Sequence, residues 1–425
     1  MRDKRRLIEW GKDALIVLLS LSAVYLLSMT PLVRDSGLLD LFPPRESPGA
    51  NSLAQSQGTA MLPARLAVNT EGGRYGLQYD EARLEELFPS LGALLGDALA
   101  SAGQPQAVSE PQWRRYLEGK SIYFDFAGEV PLSALEHWLQ SAGTQGLEGA
   151  ARRVLLCAGE EDQVLLCWQQ AGSGQFFSCC TALTQSLDLD PAAGAVSPNA
   201  AYFAFENPVL SGLLDPYTLI TEAARQGACY SVSNPLTGGG VDKVLDALSF
   251  SAQNHAPVSG GEVYLDGGDR LVVSASGAVS YRAAQGEKYP TAPSQHEASL
   301  ASAVDAARAL AEGALGTSCG DARLYLMSAQ ESEGAVRLRF GYLLNGCPVY
   351  LNNGGWAAEF WVKQGYITQF TLYFRSYTPS GEHALLLPID KAAAMLPSIA
   401  QERRELVIQY QDGGGASVSP QWVAA

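Results

Sequence analysis

The sequence predicts an α+β protein. Antiparallel β-meanders, each backed by helices, are arranged in two or three extracytoplasmic units after one N-terminal transmembrane helix. Three observations predict this. Ala14–Val33 is a run of twenty residues without a charge. Runs of alternating apolar and polar residues, joined by glycine-containing turns, recur over 262–282 and 336–376. Apolar residues at helical spacing precede each of these meanders.

At 1.5 Å per residue, the twenty-residue run makes about 30 Å of helix, the thickness of a bilayer's hydrocarbon core. Its nine strongly apolar residues between Leu15 and Leu27 favour insertion by about 4 kcal/mol in all. Arg2, Lys4, Arg5, Arg6 and Lys12 crowd the preceding head. The positive-inside rule therefore keeps residues 1–13 in the cytoplasm and sends the rest outside, a single-pass arrangement in the cell membrane. The competing reading is a cleaved secretory signal. Its apolar core is shorter, about 7–15 residues, and ends at small residues, whereas here Ser28-Met29-Thr30 runs into Pro31. No cysteine follows the run to take a lipid. Within the anchor Ser22, Tyr25 and Ser28 share one broad face and are candidate helix–helix contacts.

Residues 34–62, with Pro43, Pro44 and Pro48 and then NSLAQSQG, read as a stalk. A first α+β domain is expected over 63–195. Arg65–Asn69 opens it as a strand. Asp80 caps a helix carrying Leu84, Leu87, Leu91 and Leu95, with a kink or break at Pro89. Ser121–Ala127 alternates as a strand, and Ser133 with Glu136 forms a capping-box pattern. Strands follow at 154–158, 164–169 and 175–181. A central helix–meander domain is expected over 196–290. Asp215-Pro216 predicts a helix start running to Ala224. Val241, Val244, Leu245 and Leu248 have i, i+3, i+4, i+7 spacing, and strands are expected at 262–265, 270–275 and 278–282. The last domain, 291–425, opens with a second capping-box pattern, Ser294 with Glu297. Leu300, Val304, Ala307 and Ala311 follow on one helix face. Val336, Leu338, Phe340 and Tyr342 then alternate with Arg337, Arg339 and Gly341. Asn345-Gly346 and Gln364-Gly365 predict hairpins, Pro388–Leu396 a short helix, and 406–410 and 421–423 closing strands.

The net charge of −15 argues against nucleic acid and against direct adhesion to anionic lipid or wall polymer. The seven cysteines show no metal spacing. Cys157 and Cys167 flank a turn and read either as a cross-strand disulfide or as buried small apolar residues. Of the four histidines, His296 begins an HExx pattern, but Leu300 stands where the second zinc ligand belongs. There is no GxSxG elbow, P-loop or dinucleotide glycine fingerprint. Glu160-Glu161-Asp162 reads as a hairpin turn. Asp188-Leu189-Asp190 lacks the glycine and distal glutamate of a calcium loop. Carboxylates distant in sequence can still meet in space, which keeps a membrane-tethered glycosidase as the enzymatic alternative. Gly238–Gly240 reads as a flexible approach to a helix or as an anion cradle. No catalytic, metal or cofactor residue is assigned. The sheet aromatics occur on both strand parities, so the sheet is either covered on both faces or exposes Trp361 and Tyr373, the candidate partner surface.

Three stretches resemble the YycH/YycI family of membrane-anchored regulators of a cell-wall-sensing two-component system. They are the basic head with its single anchor, VDKVLDALSF with GEVYLDGGDRLVVSASGAVSYRA, and VRLRFGYLLNGCPVYL with AAEFWVKQGYITQFTLYFRSY. Leu271, Val273, Gly277, Val279 and Tyr281 carry the second. Asn345, Gly346, Pro348, Val349, Gly365 and Ile367 carry the third, with Gln364 where the family pattern has aspartate. The third stretch is also similar to PepSY-type modules. The resemblance spans the anchor and residues 241–423, and the length of the chain favours the YycH-like branch. It implies a non-enzymatic protein that modulates a WalK-type sensor histidine kinase through its membrane helix and exterior domain, together with a sister protein. The alternative is an extracytoplasmic binding or PepSY-like inhibitory module acting on a wall hydrolase or protease.

Overall fold

A computed structural model describes residues 62–70, 75–78, 80–141, 146–220, 226–237, 239–294, 297–332, 334–395 and 405–424. The run expected to be the anchor, the expected stalk up to residue 61, the contact candidates Ser22, Tyr25 and Ser28, and His296 lie outside them.

The N-terminal third folds around a seven-stranded antiparallel sheet. Its strands are β1 (Arg65–Asn69), β2 (Tyr75–Gln78), β3 (Gln106–Val108), β4 (Ser121–Pro131), β5 (Ala150–Ala158), β6 (Gln163–Gln170) and β7 (Phe176–Thr184), in the order β2-β1-β4-β5-β6-β7-β3. Helices α1 (Glu81–Ala100), α2 (Glu110–Glu118) and α3 (Leu132–Trp138) accompany it. Leu91 and Leu95 of α1 and Leu135 and Trp138 of α3 pack with Phe124 and Leu156 on one face. Trp113 of α2, Phe203 and Tyr217 pack with Tyr123, Leu155 and Cys167 on the other. Both faces are therefore buried, which is why every residue from Ser121 to Phe126 is buried rather than every second one.

Strands β8 (Tyr202–Phe203) and β9 (Leu219–Ile220) form a small ribbon, followed by β10 (Gln226–Ser233) and helix α4 (Gly240–Ala247). The large sheet then assembles from β11 (His255–Val258), β12 (Gly261–Asp266), β13 (Asp269–Ser274), β14 (Ala278–Arg282) and, after helix α5 (Leu300–Ala311), from β15 (Arg323–Ser332), β16 (Ala335–Leu344), β17 (Cys347–Leu351), β18 (Ala358–Lys363) and β19 (Tyr366–Tyr373). Strand β20 (Ser376–Leu385), helix α6 (Ile389–Ala394) and strands β21 (Leu406–Asp412), β22 (Ser417–Val418) and β23 (Pro420–Ala424) close the chain. The path is β11-β12-β13-β14-β19-β18-β16-β17-β21-β23, with β15 on the other edge of β16. Ala278–Arg282 pairs with Tyr366–Tyr373, so the sheet crosses residue 290, where two domains were expected to separate. The β10–β20 pair makes a second crossing, with β22 on the far side of β10.

Several expectations hold in detail. Asp80 caps α1, accepting from the Arg83 amide at 3.0 Å. Asn345-Gly346 and Gln364-Gly365 both turn with two positive φ angles, 49° and 71° in the first, 50° and 78° in the second. That is the type I′ hairpin whose twist suits antiparallel strands.

Others are corrected. There is no break at Pro89, and α1 continues through it to Ala100. A proline inside a helix costs about 3 kcal/mol, and the buried face of Leu84, Leu87, Leu91 and Leu95 outweighs it. The α3 helix starts directly from the end of β4 with Pro131 in the cap position, so Ser133 falls in the first turn and caps nothing. The Glu136 carboxylate accepts instead from the Leu147 amide. The α5 cap is Ser299, exchanging hydrogen bonds with Ser302, rather than Ser294. Asp215 starts no helix among the described residues. Its carboxylate accepts from the Tyr217 amide at 2.9 Å and pairs with Arg153, leaving Leu219–Ile220 free to be a strand.

A buried ionic cluster joins the beginning of the fold to its end. Arg65 of β1, Arg152 and Arg153 of β5, Asp125 of β4, Asp215 and Glu405 meet there. Glu405 accepts from Arg65 at 3.1 Å, Arg152 at 2.6 Å and Arg153 at 3.1 Å. Asp125 pairs with Arg65 and, at 3.0 Å, with Arg152. Burial alone would raise both carboxyls. The surrounding arginines outweigh it, holding Asp125 well below the usual carboxylate range and bringing Glu405 down to about 2. Buried Arg323 donates to the carbonyls of Leu62 and Pro63, at 3.2 and 2.8 Å, tying the segment before β1 to β15.

Candidate functional site

The large sheet is covered along the whole of one face, and on the other only at its β15–β16 end, where Tyr325 and Leu343 pack with Ala64. On the first face Val244, Leu245 and Leu248 of α4 and Val304, Ala307 and Ala311 of α5 pack with Leu271, Val279, Leu338, Phe340, Phe360 and Phe370. Side chains of opposite parity form the other face, and the register aligns them in transverse rows. One row reads Leu265, Arg270, Arg282, Gln369, Trp361, Arg337 and Gln330, each directly paired with the next across seven strands. The row beside it reads Val272, Ser280, Thr371, Glu359, Arg339 and Ser328.

Trp361 and Tyr373, expected to share a surface, both lie half-buried on this face. They stand at its two ends, about 14 Å apart along the strands at 3.4 Å per residue. The Arg337 guanidinium sits over the Trp361 ring, 5.0 Å from its centre, a cation–π contact that holds both side chains flat. Tyr373 packs edge-on against Trp356, with ring centres 5.1 Å apart. Between the two aromatic groups Glu359 accepts from the Nε atoms of Arg337 and Arg339, each at 2.8 Å.

Two residues that the pattern of the sequence did not single out complete the face. Arg270 and Arg282 stand directly opposite one another on β13 and β14, and both are exposed. Among the described residues neither side chain enters an ion pair or a hydrogen bond. The alternation LEU-x-VAL and VAL-x-TYR around them marked only the buried parity, and the outward arginines between those positions were the legible signal.

The other candidates do not converge. His137, His255 and His383 are exposed and lie on different elements. Glu161 and Asp162 form the β5–β6 turn with positive φ angles of 50° and 66°, and Asp162 accepts from Ser186. Asp188 accepts from the Thr184 amide at 2.7 Å. Gly239 has φ of 103° at the start of α4, and Gly240 lies so close to the Pro235 carbonyl that a side chain there has no room. Cys157 and Cys167 are buried free thiols with their Sγ atoms 3.7 Å apart. Among the described residues no three His, Cys, Asp or Glu side chains come together as a metal site requires, and no helix is long and apolar enough to cross a membrane.

No protein-family model matches the chain, and no curated protein matches it by sequence. The arrangement of sheets and helices does match a solved structure, the crystal structure of YycH from Bacillus subtilis. The likeness covers 87% of this chain and 95% of that one, with a TM-score of 0.54 and 11% identity. The fold is YycH-like. The likeness to YycH extends beyond residues 241–423, where the sequence resemblance lay, since 87% of the chain takes in most of the N-terminal sheet as well. At this identity it is the path of the chain that is shared, and the side chains of the open face have to be read on their own.

Proposed function

We propose that this chain is a non-enzymatic, membrane-anchored regulatory protein that modulates a WalK-type sensor histidine kinase controlling cell-wall metabolism. Ala14–Val33 is the anchor, with Ser22, Tyr25 and Ser28 against the kinase's membrane helices. The domain beyond residue 62 is the exterior part that docks a partner, a sister protein of the same fold family included. The observation that carries this reading is the YycH-like fold over 87% of the chain. The open face adds to it, because tryptophan, tyrosine and arginine on a solvent-facing surface are the residues enriched in protein–protein interfaces.

Regulation of this kind works by biasing a two-state kinase, and it requires contacts that differ between the states. The test removes residues 1–33 in cells and measures phosphorylation of the cognate response regulator. A shift in its phosphorylated fraction is expected, and an unchanged fraction sinks the proposal. A photo-crosslinker at Tyr25 is expected to capture the kinase. Full activity with an unrelated anchor would instead favour the inhibitory-module alternative.

A further inference from the structure

We infer that the arginine row on β13, β14 and β16 is the docking site for an extended acidic segment of a partner protein. This deepens the regulatory reading above and rests on it for the presence of a partner. It begins from a placement that folding does not explain. Like charges directly opposite on neighbouring strands repel one another, yet Arg270 and Arg282 are so placed. Both are exposed and unpaired among the described residues, in a chain with 44 acidic side chains against 29 basic ones. Together with Arg337 and Arg339 they make four cations, and Glu359 is the one carboxylate among them in these two rows. The face is locally cationic on an acidic protein, and that is the complementarity an acidic partner reads.

The register sets the spacing of the partner. Arg282 and Arg337 are three strands apart, with Gln369 and Trp361 between them. At about 4.8 Å per strand that is about 14 Å. In an extended peptide, side chains on one side recur every second residue, about 6.8 Å apart. Acidic residues at i and i+4 therefore reach the two arginines, and the residue at i+2 lies over Trp361 and Gln369. An apolar side chain suits that middle position. A uniform polyanion has no use for the tryptophan and amide at the centre of the row.

The test uses the full chain in nonionic detergent and a fluorescent peptide, Thr-Glu-Thr-Leu-Thr-Glu-Thr, read by anisotropy. Binding that weakens with added salt is expected. Reversing both unpaired charges, Arg270→Glu with Arg282→Glu, is expected to weaken it by about tenfold or more. Arg270→Lys with Arg282→Lys keeps it within about threefold, and Arg337→Glu alone weakens it too. Lys391→Glu, on α6, is expected to change nothing. Four results overturn the inference: no binding, equal binding of a peptide with lysine for glutamate, no effect of the double reversal, or a preference for inorganic polyphosphate over the peptide. The titration needs no kinase. Peptide binding with unchanged kinase output would therefore defeat the regulatory proposal alone, and altered kinase output without peptide binding would defeat this one alone.

Discussion

Two groups of arginines in this molecule carry the same chemistry to opposite ends. Arg153 is buried, and Arg65 and Arg152 are half-buried, around the buried carboxylates of Asp125 and Glu405, and each arginine has a carboxylate within 3.2 Å. Arg270, Arg282, Arg337 and Arg339 lie on the open face of the large sheet, where one carboxylate serves two of them and the other two have none among the described residues. A buried guanidinium has lost its water and needs a counter-charge, so its removal or orphaning is felt by the whole fold. An exposed one keeps its water, so its pairing contributes little to stability and its charge stays available to something outside. The difference teaches that an arginine on this protein is structural where it meets a buried carboxylate, as at Asp125 and Glu405, and available to something outside where, as at Arg270 and Arg282, it meets none among the described residues.

The sharpest way to break that contrast is Glu405→Ala. It leaves buried Arg153 and half-buried Arg65 and Arg152 facing Asp125 and Asp215 alone, and a loss of about 3–5 kcal/mol is expected in urea unfolding. A loss under about 1 kcal/mol would place Glu405 with the surface pairs. The same carboxylate sets a pH dependence. Its folded pKa lies below its ordinary value of 4.5, at about 2. The stabilisation is therefore complete above about pH 4.5 and is lost as pH falls toward about 2, by about 3 kcal/mol. Unfolding midpoints followed across that interval are expected to drop more steeply for the unaltered chain than for Glu405→Gln. Next in size is Gly128→Ala, where β4 crosses β15. The added carbon would stand 1.9 Å from the Leu326 carbonyl oxygen, and a loss of about 1–3 kcal/mol is expected from the forced separation.

On the open face the expected effects shrink. Arg337→Ala removes a stacked but half-exposed cation and leaves Glu359 with Arg339, so thermal unfolding is expected to register about 1 kcal/mol or less. Arg270→Ala with Arg282→Ala is expected to change stability by no more than about 0.5 kcal/mol, on the stabilising side, because a repulsive pair disappears. A marked destabilisation by that double change would show that these arginines hold the sheet together and would erase the contrast.

How much of this was legible beforehand depends on the range of the interaction concerned. Asp80, the Asn345-Gly346 and Gln364-Gly365 turns, and the stripe of Val304, Ala307 and Ala311 act within a few residues, and the sequence reads them correctly. The two misplaced caps involve competition: Ser133 lost its role because β4 runs straight into α3, and Ser299 stood nearer the helix than Ser294. Strand β20, with Pro379 and Gly381 inside it, was not among the strands expected, and it pairs along its length with β10. The candidate face was half legible. The parity of Trp361 and Tyr373 puts both on one face, where both are half-buried, whereas Arg270 and Arg282 became neighbours only when the β13–β14 register was known.

The sequence by itself determined the α+β class, the hairpins, the helix stripes and the apolar run expected to anchor the chain. These follow from side-chain period, turn chemistry and local hydrophobicity, all of which are properties of contiguous residues. Only the tertiary structure decided that the central and C-terminal strands share one sheet, that Glu405 closes a cluster with Arg65 some 340 positions earlier, and that the face carrying Arg270, Arg282 and Trp361 is left open while its Tyr325–Leu343 end is buried against Ala64. Each of those depends on which distant segments exclude water from one another. No local pattern carries that information, because the free energy of burial belongs to the pair of surfaces and not to either strand alone.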